Sequence, residues 1–205
     1  MMPHHRAGQK DGTIELLLLA AGPSSRMGQS KQLLPVHGEP LLVRTVKTLL
    51  ATGLSQPIVV LGAQETAHRK VLGNLPVQIV SNPQWQKGMG CSLKAGIQFI
   101  KEHRKSCQAV IVLVCDQPNL SSRHLQLMAE AHWKNPKAII ASEYQKISGV
   151  PVLFSRAHFE MLSTISDGQG AKKLLEAHFN EIMTIPFPEG AIDLDTIEEY
   201  NKFNA

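Results

Sequence analysis

The chain alternates between short, continuously apolar runs and longer segments whose apolar residues recur at helical spacing. Residues 16–21 are apolar without a helical period, which is typical of a strand buried on both faces. Residues 109–115 form the most apolar run and predict the central strand of a sheet. Further strands are predicted at 57–61, 77–80 and 138–141, and helices at 40–53, 65–72, 92–103, 121–133, 158–162 and 171–179. Thr196 is predicted to cap a terminal helix.

This alternation predicts an α/β fold with three layers, built on a mostly parallel, doubly wound sheet. Ligands of such sheets bind outside the carboxyl ends of the strands. Polar residues follow three predicted strands, at 22–31, 81–83 and 116–118, so they are expected at one edge. Beyond residue 120 the pattern is less regular and predicts a small lobe for a second substrate. Residues 14–205 are expected to form a single domain after a flexible N-terminal tail, 1–13.

Composition narrows the class of protein. A chain of 205 residues that is 43% hydrophobic can bury one good core. Its 21 basic and 17 acidic residues are scattered, which favours a small anionic ligand over nucleic acid. Three cysteines without a C-x-x-C pair argue against a disulfide framework or structural zinc and favour the cytoplasm. No apolar run has the length of a membrane span, and no signal-peptide pattern opens the chain.

The loop after the first predicted strand carries two cations, Arg26 and Lys31, between flexible glycines at 22 and 28. Backbone N–H groups and two positive charges could converge there on a polyphosphate. The spacing fits neither a Walker A loop nor the G-x-G-x-x-G dinucleotide fingerprint. An ordinary strand-to-helix turn with solvated cations is the alternative interpretation.

Asp116 is the sharpest single candidate for chemistry, because a carboxylate that ends a buried apolar strand lies where a cation and a substrate would meet. The alternative is a carboxylate that caps the next turn. Cys107 and Cys115 have no base nearby in the sequence pattern and are interpreted as buried residues without chemistry.

The run L-A-A-G-P-S-S-R-M-G-Q-S-K-Q-L-L-P at 19–35 resembles the signature loop of the MobA-like nucleotidyltransferases, specifically the molybdenum cofactor cytidylyltransferase branch. The branch pattern is L-A-A-G-x-S-x-R-M-G-x-x-K-x-L-L-P, and every fixed position is present. The resemblance extends over nearly all of residues 16–200 and implies a Rossmann-like nucleotidyltransferase fold. It also implies catalytic roles for Arg26, Lys31 and Asp116.

The resemblance assigns the remaining site residues to three groups. Nucleotide contacts are expected at Leu19, Ala20, Ala21, Gly22, Arg26, Lys31, Asn82, Gly88 and Ser92. Contacts with the second substrate are expected at Gln117, Pro118, Gly149, Pro151, Gly168, Gly170 and Lys172. Mg²⁺ is expected on Asp116 and Asp195, with Asp193 as the runner-up for the second ligand.

The chain departs from the family pattern at three places. Gly90 and Cys91 stand where the family commonly has serine, and Lys172 replaces an arginine, which keeps the charge but loses the bidentate fork. Near the terminal helix, Ile197 replaces a proline and Glu199 replaces an aspartate.

The resemblance implies transfer of CMP from CTP to the terminal phosphate of molybdopterin or the molybdenum cofactor, with release of pyrophosphate. A molybdoenzyme or its chaperone would receive the product. The alternatives left open are the same chemistry on a sugar or polyol phosphate, GTP-dependent guanylyl transfer, and a non-catalytic cofactor carrier.

Overall fold

The computed structural model describes residues 12–204, with the side chains of Ala171 and Lys172 left outside that description. A seven-stranded sheet has the order β5-β4-β1-β6-β8-β7-β9, and β2 and β3 pair separately. The strands are β1 (Thr13–Leu19), β2 (Pro35–Val36), β3 (Glu39–Pro40), β4 (Ile58–Leu61), β5 (Gln78–Ser81), β6 (Cys107–Val114), β7 (Ile139–Tyr144), β8 (Ile147–Ser155) and β9 (Ile182–Pro186). The most apolar strand, β6, is central, as the sequence predicts.

Helices cover both faces of the sheet, so the predicted α/β class with three layers is confirmed. The helices are α1 (Leu41–Leu50), α2 (Glu65–Leu72), α3 (Met89–His103), α4 (Ser122–Lys134), α5 (Phe159–Thr164), α6 (Ala171–Ala177) and α7 (Ile197–Asn204). Alternate side chains of β1 divide between the two cores. Leu16 and Leu18 join the core of α1 and α4, while Leu17 and Leu19 join that of α3 and α5. This explains why β1 is apolar at successive positions.

The sheet is mostly parallel, and β8 is the exception. It runs antiparallel to both β6 and β7. A two-residue turn joins β7 to β8, with Gln145 and Lys146 both in the left-handed region, at φ 52° and 62°. Neither residue is among the glycine or asparagine signals that mark such turns in a sequence, so the pattern did not reveal this hairpin.

The start of the domain differs slightly from the prediction. Thr13 was placed in the tail, but it opens β1, where it pairs with Cys107 and its hydroxyl donates to Glu15 Oε1 at 2.8 Å. Residues 1–11 of the predicted tail lie outside the described residues. None of the helices in the described part of the chain has the length and apolar character needed to cross a membrane.

Candidate active site

Two of the three predicted polar clusters, 22–31 and 116–118, meet at the carboxyl ends of β1 and β6, whereas 81–83, after β5, lines a different cavity. A first cavity of about 310 Å³ opens there, and its walls include Leu19 and Val114, the last residues of β1 and β6. Its other lining residues are Ala21, Gly22, Pro23, Lys31, Gln32, Trp85, Gln86, Gly88, Met89, Ser92, Cys115 and Asp116. The expectation that ligands of this fold bind at this edge therefore has a matching concavity.

Lys31 lies between two carboxylates from distant parts of the chain. Its ammonium donates to Asp116 Oδ2 at 2.6 Å and to Asp195 Oδ1 at 2.8 Å. The guanidinium of Arg26 reaches the other oxygen of Asp195, at 2.7 Å. The Lys31 side chain is only 16% exposed, whereas that of Arg26 is 71% exposed. Lys31 is therefore the inner cation of the site and Arg26 the outer one.

The pKa values reflect this crowding of charge. Burial acts to lower the pKa of Lys31, but the carboxylates of Asp116 and Asp195 outweigh it, and the pKa is raised. Burial acts to raise the pKa of Asp195, yet Lys31 and Arg26 hold it below its ordinary value. Asp193 has neither cation as a hydrogen-bond partner in the described structure. Burial, followed by repulsion from Asp116 and Asp195, raises its pKa to about 6.

Two hydrogen bonds attach the C-terminal segment to the turn after β6. The Leu194 N–H donates to the Asp116 carbonyl at 2.9 Å, and Gln117 Nε2 donates to the Gly190 carbonyl at 3.1 Å. A capping box then starts α7, because Thr196 Oγ1 accepts from Glu199 N–H while the Glu199 carboxylate accepts from Thr196 N–H. The predicted cap at Thr196 is thereby confirmed, and Asp195 is fixed at a helix start.

Gln32 organises the signature loop from within, and the sequence analysis missed it. Its side chain is buried, its Nε2 donates to the carbonyls of Ala20 and Gly22, and its Oε1 accepts from the hydroxyls of Ser24 and Ser30. Since the Ser30 proton goes to Gln32, the Ser30 oxygen accepts from His68 Nε2, at 2.8 Å. Burial lowers the pKa of His68, although the charge of Glu65 acts to raise it. The lowered pKa keeps the imidazole ring neutral.

A second cavity of about 410 Å³ adjoins the first and shares Met89, Val114 and Asp116 with it. Its other lining residues are Tyr144, Ile147, Ser148, Gly149, Val150, Gly170 and Asp193. Burial, with the charges of Asp193 and Asp116, raises the pKa of Tyr144. Its hydroxyl therefore stays protonated and can donate a hydrogen bond. Asp116 thus borders two cavities that could hold two substrates side by side.

Most of the expected nucleotide contacts line the first cavity, but three do not. Ala20 is buried, and its N–H donates to the Val60 carbonyl inside the sheet at 3.0 Å. Asn82 is also buried, and its Nδ2 donates a hydrogen bond to Ser92 Oγ at 3.0 Å, so it orients Ser92. Arg26 contacts Asp195 outside the cavity wall. Leu19, Ala21, Gly22, Lys31, Gly88 and Ser92 do line the cavity.

The expected contacts with the second substrate divide in the same way. Gly149 and Gly170 line the second cavity. The buried Gln117 does not, because its Nε2 donates to the Gly190 carbonyl and so supports the C-terminal segment. Pro118 and Pro151 are buried, Gly168 is exposed, and none of the three lines either cavity. The side chain of Lys172 lies outside the described residues.

The start of α3 lies directly against the loop 166–170, which borders the second cavity through Gly170. Gly90 N–H donates to the Asp167 carbonyl at 2.8 Å. A Cβ built on Gly90 would lie 2.2 Å from the Ser166 carbonyl oxygen, so the serine of the family pattern would not fit here. The departure at position 90 therefore has a steric reason, and it allows a close contact between α3 and the loop 166–170.

The carboxylates offer a partial site for a divalent cation. Within residues 12–204, no three His, Cys, Asp or Glu side chains form a group that could hold a metal ion. Mg²⁺, however, commonly takes one or two carboxylates and completes its shell with water and substrate phosphates. Asp116 Oδ1 is buried and has no hydrogen-bond partner in the described residues, so it offers a free ligand oxygen. The donor set fits Mg²⁺ if a nucleotide supplies the rest.

Comparison with known proteins places the chain among nucleotidyltransferases. The family model of the MobA-like NTP transferase domain matches residues 16–182. The crystal structure of Rv0371c from Mycobacterium tuberculosis H37Rv superposes with a TM-score of 0.80 at 23% identity, covering 96% of this chain and 99% of that one. At that identity the likeness supports the fold alone.

Two curated relatives match almost the whole chain. The purine catabolism protein PucB of Bacillus subtilis (strain 168) is 27% identical over 198 residues, covering 90% of this chain and 93% of PucB. The nicotine blue oxidoreductase of Paenarthrobacter nicotinovorans is 29% identical over 197 residues, covering 89% and 92%. A probable molybdenum cofactor guanylyltransferase of Synechococcus elongatus is 32% identical over 112 residues, 54% of each chain. Since the family model matches most of the length of this chain, the chain belongs to the MobA-like NTP transferases.

Proposed function

We propose that the protein transfers CMP from CTP to the terminal phosphate of molybdopterin or the molybdenum cofactor. The observation that carries this proposal is the position of Asp116 on the wall shared by two adjoining cavities. One cavity is bordered by the phosphate-type loop with Lys31, and the other by Tyr144 and Gly149. This arrangement suits a reaction in which a nucleotidyl group is passed from one bound molecule to another.

In the proposed reaction an oxygen of the molybdopterin phosphate attacks the α-phosphorus of CTP. A new P–O bond forms as the bond to the β-phosphate breaks, and pyrophosphate leaves with the electron pair. The attacking phosphate is already anionic, so no residue has to remove a proton. The protein's task is to position the two substrates and to neutralise charge.

Lys31 and Arg26 perform the neutralisation in this proposal. Lys31 lines the first cavity and would face the triphosphate, where its charge helps most as negative charge accumulates on the leaving pyrophosphate. Arg26 is exposed at the rim and would contact the outer phosphates. The backbone N–H groups at the start of α3, beside Gly88, add further donors for phosphate or ribose oxygens.

Mg²⁺ would be held by Asp116 and Asp195, and when bound it would neutralise phosphate charge as a Lewis acid. Asp193 remains the runner-up for the second position. Burial first, and repulsion from Asp116 and Asp195 second, raise its pKa, and a bound cation would relieve that repulsion.

Cytidine is proposed because of the branch-specific L-A-A-G sequence, in which Ala21 lines the first cavity. Related guanylyltransferases have glycine in place of that alanine. The Synechococcus relative named a guanylyltransferase favours GTP as a second candidate donor. The Paenarthrobacter relative is named an oxidoreductase, but two cations facing paired carboxylates favour phosphoryl transfer here.

The biological setting of the proposal is the cytoplasm, with a molybdoenzyme or its chaperone as the recipient of the dinucleotide. A pure carrier would need neither the cations nor the acids of the first cavity. Turnover of the nucleotide therefore separates the enzyme from a carrier.

The test is to incubate the purified protein with Mg²⁺, each nucleoside triphosphate separately, and either molybdopterin or a sugar or polyol phosphate as the acceptor. Mass spectrometry would identify the dinucleotide, and released pyrophosphate would be counted. We expect the cytosine dinucleotide with one pyrophosphate per product. Formation of the guanine dinucleotide would identify GTP as the donor in place of CTP. Formation of a nucleotide-linked product from a sugar or polyol phosphate would identify that phosphate as the acceptor in place of molybdopterin. Binding without pyrophosphate release would leave only a carrier.

A further inference from the structure

We propose that Lys31 is a built-in counter-ion, which holds the place of the divalent cation while the protein has no nucleotide. The inference rests on the proposed function and deepens it. Lys31 neutralises Asp116 and Asp195 in the empty protein and turns to the triphosphate when a metal–nucleotide complex enters. The metal therefore binds well only together with the nucleotide.

The position of the Lys31 ammonium carries this inference. It bridges the two proposed metal ligands, at 2.6 Å from Asp116 Oδ2 and 2.8 Å from Asp195 Oδ1. A divalent cation shared by the same two carboxylates would lie close to the ammonium, and two cations at such a distance repel strongly in a partly buried site. The metal can use both acids only if Lys31 leaves.

The structure also provides a place for Lys31 to go. The lysine lines the first cavity, beside Gly22 and Gln32, where the triphosphate would bind. Its four-carbon stem is flexible, so the ammonium can change partner without movement of the loop. The loop backbone is held separately, since Lys31 N–H donates to Ser24 Oγ at 3.1 Å. An incoming polyphosphate would offer the ammonium anionic oxygens in exchange for the carboxylates.

Arg26 provides a matched comparison. It also pairs with Asp195, but it does not contact Asp116, and its side chain is 71% exposed. Removal of either residue deletes one positive charge near the acids. Only removal of Lys31 would vacate the position between them. The difference between the two variants therefore separates site occupancy from a general electrostatic effect.

The experiment measures binding rather than turnover. Mn²⁺ serves as the probe, and electron paramagnetic resonance counts the free ion during titration of the nucleotide-free wild type, Lys31→Met and Arg26→Met. We expect Lys31→Met to bind Mn²⁺ about 5- to 150-fold more tightly than the wild type, the usual size of a coupling between two sites. Arg26→Met should change the affinity by clearly less.

A second titration uses Mn²⁺ preloaded on a CTP analogue with a methylene group between the α- and β-phosphates. Lys31→Met should bind this complex more weakly than the wild type, as measured by calorimetry. The opposite signs of the two effects are what a merely structural role would not produce. If Lys31→Met does not fold, as judged by its melting curve, Lys31→Gln replaces it in both titrations.

The outcomes separate this inference from the proposed function. The counter-ion role would be overturned if wild type and Lys31→Met bound free Mn²⁺ with equal affinity, or if Arg26→Met gained as much affinity as Lys31→Met. The proposed function would still stand if the wild type bound the Mn²⁺–analogue complex. Failure of the wild type to bind that complex would overturn both.

Discussion

At the scale of single residues, Asp116 links the charged cluster to both cavities and to the C-terminal segment. Its side chain meets Lys31 and borders both cavities, while its backbone carbonyl holds Leu194. We predict that Asp116→Asn lowers kcat by more than about tenfold, or about 1.4 kcal/mol, because it removes a negative charge from the proposed metal site. The fold should persist, since the bond to Leu194 uses the backbone. Steady-state kinetics and the melting temperature would be measured together.

Asp193→Asn is the matched control for that prediction. Asp193 borders the second cavity and the same acid cluster, but it has no hydrogen bond to Lys31 or Arg26 within residues 12–204. If kcat falls less in Asp193→Asn than in Asp116→Asn, Asp116 stays the proposed principal metal ligand. If Asp116→Asn retains more than a tenth of wild-type activity, Asp116 is not that ligand.

Ala21 offers a test of nucleotide preference at the same scale. Its methyl group lines the first cavity, where it would crowd a purine more than a pyrimidine. A misfit of this size is worth about 1–3 kcal/mol, or roughly 10- to 200-fold. We predict that the wild type prefers CTP to GTP by kcat/KM. Ala21→Gly should raise the use of GTP without abolishing that of CTP.

Ala20→Gly is the control for Ala21→Gly, because Ala20 is adjacent and buried but does not line the cavity. It introduces the same backbone freedom without opening space near the base. An equal shift of the GTP-to-CTP ratio in both variants would show that loop flexibility, and not the methyl group, controls the preference.

The sequence predicted the charged residues of the site but not their supports. Lys31 and Asp116 stand at positions fixed by the resemblance, and they do meet. Gln32 and His68 occupy variable or unremarkable positions, and their role depends on a fold that brings residues 20, 22, 24 and 30 around one amide. No local pattern contains that information. The pairing of Lys31 with Asp195, across 164 positions, likewise requires the tertiary structure.

At the scale of elements, the start of α3 couples the two cavities. Met89 belongs to both walls, and Gly90 touches the loop 166–170. We predict that Gly90→Ala raises the KM for molybdopterin more than that for CTP. Alanine is favoured over glycine in a helix by about 1 kcal/mol, but its Cβ would lie 2.2 Å from the Ser166 carbonyl and displace the loop.

The neighbouring variant Cys91→Ala controls for changes in α3 itself. Cys91 is half-buried at the next helical position, and its thiol makes a weak contact with Asn82 Oδ1 at 3.7 Å. Its KM for molybdopterin should stay close to that of the wild type. If Gly90→Ala leaves both KM values unchanged, the contact with Ser166 does not position the second substrate.

Secondary-structure predictions from the sequence succeeded where the hydrophobic periodicity was strong. They failed where strand pairing in the folded sheet determines the structure. Strands β1, β4 and β6 and helix α2 follow directly from apolar runs and helical spacing. Strand β9 was not predicted, because Ile182–Pro186 is only partly buried and carries no clear alternation. The direction of β8 depends on a left-handed turn at Gln145 and Lys146, which the residue types do not announce.

At the scale of the whole molecule, three buried histidines make stability depend on pH. His68, His124 and His132 are almost fully buried on α2 and α4, and burial lowers the pKa of each. For His124 burial outweighs the opposing charge of Glu189 and lowers the pKa to about 4. The ring stacks on Phe187 at 4.5 Å and donates through Nε2 to Ser142 Oγ. The native state therefore keeps this histidine neutral.

The sign of the effect follows from proton binding. Between pH 6.5 and about 4 the unfolded chain binds a proton at His124 that the folded protein does not, so stability falls as the pH decreases through this window. The loss from His124 alone is on the order of 3 kcal/mol at full development. We predict a decreasing urea midpoint from pH 7.5 to pH 5, with the decline starting near pH 6.5. Asp193, with its pKa raised to about 6, acts in the opposite direction below that pH and makes the decline shallower, whereas carboxylates with lowered pKa values contribute only at lower pH.

His124→Gln tests whether this residue dominates the pH dependence. Glutamine is uncharged at every pH of the titration, so the unfolded chain no longer gains a proton at this position. The variant should be less stable than the wild type at pH 7.5, because it loses the stacking on Phe187. Its decline between pH 6.5 and pH 5 should nevertheless be shallower, since His68 and His132 are then the only buried histidines with lowered pKa among residues 12–204. Parallel curves for the two proteins would mean that His124 is protonated equally in the folded and unfolded states.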